Sequence, residues 1–175
     1  RLLLPRYNLL PLMDLTLPFD YATVERILPH RYPFLLVDRI IELEVDKRIV
    51  GIKNVTLNDP YLSHATSGGA PVLPPMILTE AIAQVGAIMI LVKPENRQRL
   101  PFFTGIERVR YRRSVHPGDV VVIEAVVLRL RRRMGRLKGV ADAVRSRPNR
   151  LPPGLQSAIE SAGEQQGPTG VIAAI

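Results

Sequence analysis

The sequence predicts an α+β fold in which an antiparallel sheet wraps round one long buried helix. Residues 76–92 are apolar on nearly every side, with only Thr79, Glu80 and Gln84 polar, and a helix apolar all round is a buried one. β-rich runs separated by short turns flank it on both sides. A single buried helix in a strand-rich chain must be covered by the sheet. The 175 residues fit one domain with enough chain to bury a core.

In chain order, residues 1–13 read as an N-terminal arm, interrupted by prolines and Arg6 before a signal-peptide core can form. Met13-Asp14-Leu15-Thr16 has the look of a start, with residues 1–12 upstream of it. The domain proper is expected over residues 14–145. Residues 20–28 form a short helix, capped by Asp20 or Thr23 and ended before Pro29, and 29–33 a rigid turn. Residues 34–37, 39–43 and 48–55 are β-rich, the last two joined by an Asp46-Lys47 turn. The Gly, Ser, Thr and Pro cluster of 58–75 is loop. The seventeen residues of the long helix are too few and too polar for a membrane span of roughly 20 residues, and Pro94 ends it. Strands are expected at 101–106, 109–111, 120–130 and 137–143, linked by the His116-Pro117-Gly118-Asp119 turn and a hairpin at 131–136. Beyond Val144 the chain turns proline-rich, and residues 146–175 read as a divergent, poorly ordered tail.

A formal net charge of +8 and a pI near 10.4 favour an acidic partner: nucleic acid, an anionic membrane surface or an acidic protein. Helix-turn-helix, zinc-finger and aromatic RNA-binding patterns are missing from the sequence, which argues against nucleic acid. With no cysteine there is neither disulfide nor thiolate nucleophile, a composition compatible with the cytoplasm. No His or carboxylate pair has metal-ligand spacing. Glu80 is the most informative ionisable residue, flanked by Leu78, Ala81, Ile82 and Ala83 with Gln84 one turn along the same face. A carboxyl deprived of water favours its protonated form, which suits a general acid. The competing reading is a buried Glu hydrogen-bonded to Gln84. His30 and His116 lie beside prolines in turns and read as structural. His64 lies in a loop, where a solvated histidine is the alternative to a catalytic one.

Three stretches occur in order: Ile-Leu-Pro-His-Arg-Tyr-Pro-Phe-Leu-Leu-Val-Asp-Arg at 27–39, Phe-Phe-Thr-Gly-Ile at 102–106, and Arg-Tyr-Arg-Arg-Ser-Val-His-Pro-Gly-Asp at 110–119. Together they resemble the (3R)-hydroxyacyl-[acyl carrier protein] dehydratase family. The resemblance implies a hot-dog fold and a lyase of fatty-acid synthesis that converts (3R)-3-hydroxyacyl thioesters of acyl carrier protein to trans-2-enoyl thioesters, without cofactor or metal. It also implies His64 as base and Glu80 as acid, with Met76, Gly69 and Gln84 contacting substrate. Arg110, Arg112, Arg113 and Arg132 would dock the acidic carrier protein and its phosphopantetheine arm. A cytoplasmic homodimer with sites between subunits, assembled as a trimer of dimers (a hexamer), is the expected state. Glu80 stands where the related dehydratase/isomerases carry Asp, which disfavours isomerisation.

The chain departs from the family in two places. The Gly-His-Phe-Pro-Gly run is replaced by Ser63-His64-Ala65-Thr66-Ser67, and the Pro60-to-Pro71 interval is longer by one residue. Pro75 replaces a Gly whose N–H polarises the thioester carbonyl, and proline has no N–H, although it is at home at a first helical position. The alternative function is therefore a catalytically impaired or non-catalytic hot-dog subunit that binds acyl chains or carrier protein. Both divergent stretches, residues 63–70 and those after Val144, have the sharp edges of a shifted reading frame. Ala65-Thr66-Ser67 can be encoded GCC-ACT-TCC, which from its third base reads CAC-TTC, His-Phe. Resequencing the coding DNA should reveal a short compensated insertion in the loop and an uncompensated shift near residue 144. If no one-base change restores a Gly-His-Phe-Pro-Gly loop or an alternating final strand, the divergence is genuine.

Overall fold

The computed structural model describes residues 16–63, 69–96, 99–102, 104–131, 134–145 and 171–174. The first helix, α1, is Tyr21–Ile27; its N-cap carboxylate, on Asp20, accepts the Thr23 N–H at 2.8 Å, satisfying one of the donors a helix start leaves open. Pro29 follows the C-cap Leu28, and a residue before proline is pushed out of helical geometry. Strands β1 (Arg39–Glu44) and β2 (Arg48–Asn54) form the expected hairpin. Asp46 in its turn adopts φ 63°, a left-handed conformation that Asp tolerates better than most residues.

The long helix, α2, is Pro75–Leu91, with Pro75 at its first position, and a 3₁₀ turn at Pro94–Asn96 follows. Strands β3 (Asp119–Arg131) and β4 (Met134–Arg145) pair from Asp119↔Arg145 to Arg131↔Met134. Strand β5 (Val171–Ala174) lies on Arg136–Gly139. The sheet runs β1-β2-β3-β4-β5, every pair antiparallel.

α2 packs across β2, β3 and β4. Val85, Ile88 and Met89 of the helix share a core with Ile49, Val121, Ile123, Ala125 and Leu137 of the strands. On β3 the buried residues alternate, so one sheet face meets the helix. On β1–β3, Arg48 pairs with Glu42 and Glu124. The helix approaches closely because two facing strand positions lack side chains. A Cβ on Gly51 would lie 2.7 Å from Val85 Cγ2, and one on Gly139 would lie 2.1 Å from Ile82 Cγ2. No helix among the described residues is long and apolar enough to cross a membrane.

The sequence expectations fail where a β-rich run lacks a backbone partner. No strand forms at 34–37, because Leu36 N–H and Phe34 C=O bond the side-chain amide of Gln84. Nor is there a strand at 109–111, or in the described part of 101–106. There the chain is tied through side chains, Glu107 to Arg136 and Arg113 to Asp142. Strand propensity records fit to a pleated surface and forms no ladder without a neighbour. The arm over 1–13 lies outside the described residues, as does most of 146–175. Within that expected tail, Val171–Ala174 is a strand on β4.

Gly139→Ala should lower the denaturant midpoint by an amount equivalent to about 1–3 kcal/mol, the usual cost of overpacking. A wild-type midpoint would show that Ile82 yields freely and that the helix–sheet spacing does not rest on this position.

Candidate active site

Glu80 and Gln84 occupy one side of α2, one turn apart. Gln84 is 1% exposed, and its amide is committed to the protein. Its Oε1 accepts Leu36 N–H at 2.9 Å, and its Nε2 donates to Phe34 C=O at 2.8 Å and to Glu80 Oε1 at 2.9 Å. The sequence reading makes Gln84 a substrate contact; in the structure its amide bonds Leu36, Phe34 and Glu80. The Glu80 side chain is 23% exposed, so the burial expected from its apolar neighbours is incomplete.

His30, read from the sequence as structural, comes to the same carboxyl, with Nε2 3.5 Å from Glu80 Oε1. Its Nδ1 is buried and has no hydrogen-bond partner among the described residues. Burial holds the imidazole below its ordinary value. The Glu80 carboxylate opposes that shift more weakly, and Arg31 adds to it. Phe34 stands 6.0 Å from the His30 ring and meets Tyr61 edge-on at 6.1 Å, so an aromatic wall adjoins the carboxyl. Spacing could reveal the Glu80–Gln84 pair, four residues apart on a helix. Nothing in the spacing revealed His30, fifty residues from Glu80 in sequence.

His64 lies outside the described residues, but both ends of its loop are held. Ser63 and Val72 exchange backbone hydrogen bonds of 2.9 and 3.1 Å, and Ser63 Oγ donates to the same Val72 carbonyl. His116 Nδ1 lies 2.9 Å from Pro71 C=O, and Leu73 N–H donates to Val115 C=O at 2.8 Å. The turn carrying His116 needs Gly118, whose φ is +94°. Upstream, Lys53 and Asp59 form an ion pair at 2.8 Å, each side chain only 7% exposed. His116 therefore has a structural task, as expected.

Proline has no N–H, so the first backbone donor of α2 belongs to Met76. Met76 is 63% exposed at the helix start, where Tyr111 OH reaches its sulfur at 3.4 Å and Thr79 Oγ1 at 2.6 Å. Gly69 is exposed. Arg110 and Arg112 are exposed, and Arg113 is paired with Asp142 at 2.7 Å; Arg132 lies outside the described residues. A separate cavity of about 380 Å³ lies beside the β3–β4 hairpin end, lined in part by Glu107, Arg129, Arg131 and Arg136, and no residue of the Glu80 group borders it. Among the described residues, no group of three or more acidic or His side chains could hold a metal ion.

The FabA-like domain family matches residues 28–146. A 3-hydroxyacyl-[acyl-carrier-protein] dehydratase FabZ of Caldicellulosiruptor bescii is 53% identical over 124 residues, covering 70% of this chain and 87% of that protein. The Bacillus subtilis protein of the same name is 49% identical over 123 residues, 70% of this chain and 86% of its own. Among solved structures, the dehydratase heterocomplex ApeI:P from Xenorhabdus doucetiae superimposes with a TM-score of 0.63 at 19% identity, covering 86% of this chain and 88% of that one; at that identity the likeness concerns the fold alone.

The depressed His30 value sets a pH dependence of stability. Its ordinary value is 6.5, so as the pH falls through that point the unfolded chain takes up a proton before the folded one does. Folding stability contributed here is present above 6.5 and declines below it, until the folded imidazole also protonates. Denaturant melts across this range should show the decline, and His30→Gln should remove that component. An unaltered pH profile in the variant would assign the slope elsewhere.

Proposed function

The chain belongs to the FabA-like domain family and is a 3-hydroxyacyl-[acyl carrier protein] dehydratase of fatty-acid synthesis, and we propose that Glu80 and His64 divide its two proton transfers. The observation that carries this assignment is the state of the Glu80 carboxyl. Gln84 anchors one oxygen, no described residue bonds the other, and the side chain keeps partial exposure beside the His30 and Phe34 rings. In the proposed reaction His64 removes the α-proton, and the C–H electron pair moves toward the thioester carbonyl. When that pair returns, the bond to the β-oxygen breaks as Glu80 protonates the departing hydroxyl, giving water and the trans-2-enoyl thioester.

The Met76 N–H is the proposed donor to the thioester oxygen. It takes the part that Pro75 cannot play, at a kind of site where one missing donor typically costs about 100- to 1,000-fold in rate. Met76 and Gly69 are proposed substrate contacts. Arg110 and Arg112, with Arg113 and Arg132, are proposed to meet the acidic carrier protein, which arginine suits by charge and fork geometry. The reading extends to a cytoplasmic homodimer with His64 and Glu80 facing each other across the subunit interface, three dimers making a hexamer. No cofactor or metal enters the reaction. Pro75 at the helix start favours a second reading, an impaired or non-catalytic subunit that binds acyl chains or carrier protein.

Turnover of a 3-hydroxyacyl carrier-protein thioester, followed by absorbance of the conjugated enoyl product, separates the two readings. Glu80→Gln should lower kcat by at least about 100-fold, the usual scale for losing a general acid, with the folded assembly intact by light scattering. Full activity in that variant removes Glu80 from the mechanism. No turnover by the wild-type chain selects the binding subunit.

A further inference from the structure

Two nitrogens lie beside one oxygen of Glu80, one as a hydrogen-bond donor and one at ion-pair distance. Gln84 Nε2 lies 2.9 Å from Oε1 and His30 Nε2 lies 3.5 Å from the same atom, while no described residue bonds Oε2. With its proton on Nε2, His30 sets a polar N–H beside Oε1 and leaves the buried Nδ1, which has no hydrogen-bond partner among the described residues, as a bare lone pair. The opposite tautomer would bury an orphan N–H, the rarer fault in folded proteins, and would set two lone pairs against each other at Oε1. The separation of 3.5 Å leaves no room for a substrate carbon between the two groups, so His30 acts through Glu80 and not on the acyl chain.

We propose that His30 is a positioning residue for dehydration: together with the Gln84 amide it keeps Glu80 Oε1 a pure acceptor and so confines the acid's proton to Oε2, the oxygen that no described residue bonds. The proposal rests on the reading of Glu80 as the general acid. It requires His30 to be neutral, because an imidazolium beside Oε1 would favour the ionised carboxyl and withdraw the acid. Burial supplies that neutrality, and the charged groups acting on the ring are Glu80 from α2 and Arg31 from its own turn. Arg31 is held by the Leu28 and His30 carbonyls at 2.8 and 2.7 Å, which keeps a positive charge beside the imidazole.

The test uses the full chain, a 3-hydroxyacyl carrier-protein thioester, and the variants His30→Phe and His30→Gln. Phenylalanine keeps a ring beside Phe34 and removes the donor; glutamine restores a donor near the place of Nε2 without a titrating ring. His30→Phe should lose about 10- to 100-fold in kcat, the scale of a misplaced catalytic group, with KM little changed. His30→Gln should recover most of that loss. Wild-type kcat in His30→Phe overturns the proposal, as does a folded His30→Gln no better than His30→Phe. NMR titration of the His30 ring supplies a readout independent of turnover. Glu80→Gln removes the carboxylate that raises the imidazole value, so that value should fall further, and an unchanged value rejects the pairing. If the wild-type chain shows no turnover, the dehydratase reading fails, and the titration still decides whether His30 and Glu80 are coupled.

Discussion

The site depends on the side-chain amide of Gln84. A primary amide buried without partners costs several kcal/mol in apolar surroundings, and this one is stable because all three of its described bonds are to groups with the same need. Leu36 N–H and Phe34 C=O would otherwise be buried backbone groups without a ladder partner, and Gln84 takes the place of a neighbouring strand for both. Its remaining donor reaches Glu80. One residue thus joins the helix, the chain entering the sheet and the candidate acid. The length of its side chain sets how far the 34–36 segment stands from the helix, and His30 is carried toward Glu80 on the same stretch of chain.

That arrangement requires α2 to lie close on the sheet. Gly51 and Gly139 provide the space, since a methyl group at either position would press into Val85 or Ile82. Val85 and Ile82 lie near Gln84 and Glu80 on the helix, so the spacing that packs the core also sets the height of the polar pair. A helix apolar on nearly every side is a consequence: the sheet covers one side, and Phe19, Leu28, Leu36 and Leu73 belong to the same core. Glu80 is the one acidic residue on this helix, and it sits where the cover is open.

The loop bearing His64 departs from its family, yet both its ends are tied down by hydrogen bonds. Ser63 fills the role of an anchor, with its backbone and hydroxyl both bonded to Val72. His116 and the buried Lys53–Asp59 pair hold the chain on either side. Removing one partner of such a pair would leave an uncompensated buried charge. Pro75 is absorbed locally, because the first helical position has no intrahelical use for an N–H.

Much of this molecule was legible in the sequence because the signals are local. The Asp20 cap, the stop at Pro29, the Asp46 turn, the span of α2, the β3–β4 hairpin and the one-turn spacing of Glu80 and Gln84 all follow from periodicity, capping and turn chemistry within a few residues. The runs at 34–37 and 109–111 form no strand, because β propensity does not say which partner a backbone will find. At 34–37 the partner is a glutamine side chain, and propensity has no term for it. The role of Gln84 and the meeting of His30 with Glu80 were decided only by tertiary structure, since each joins residues some fifty positions apart. Local rules tell where a chain bends and which face it buries; which distant polar groups then share a buried space is settled when the helix docks on the sheet.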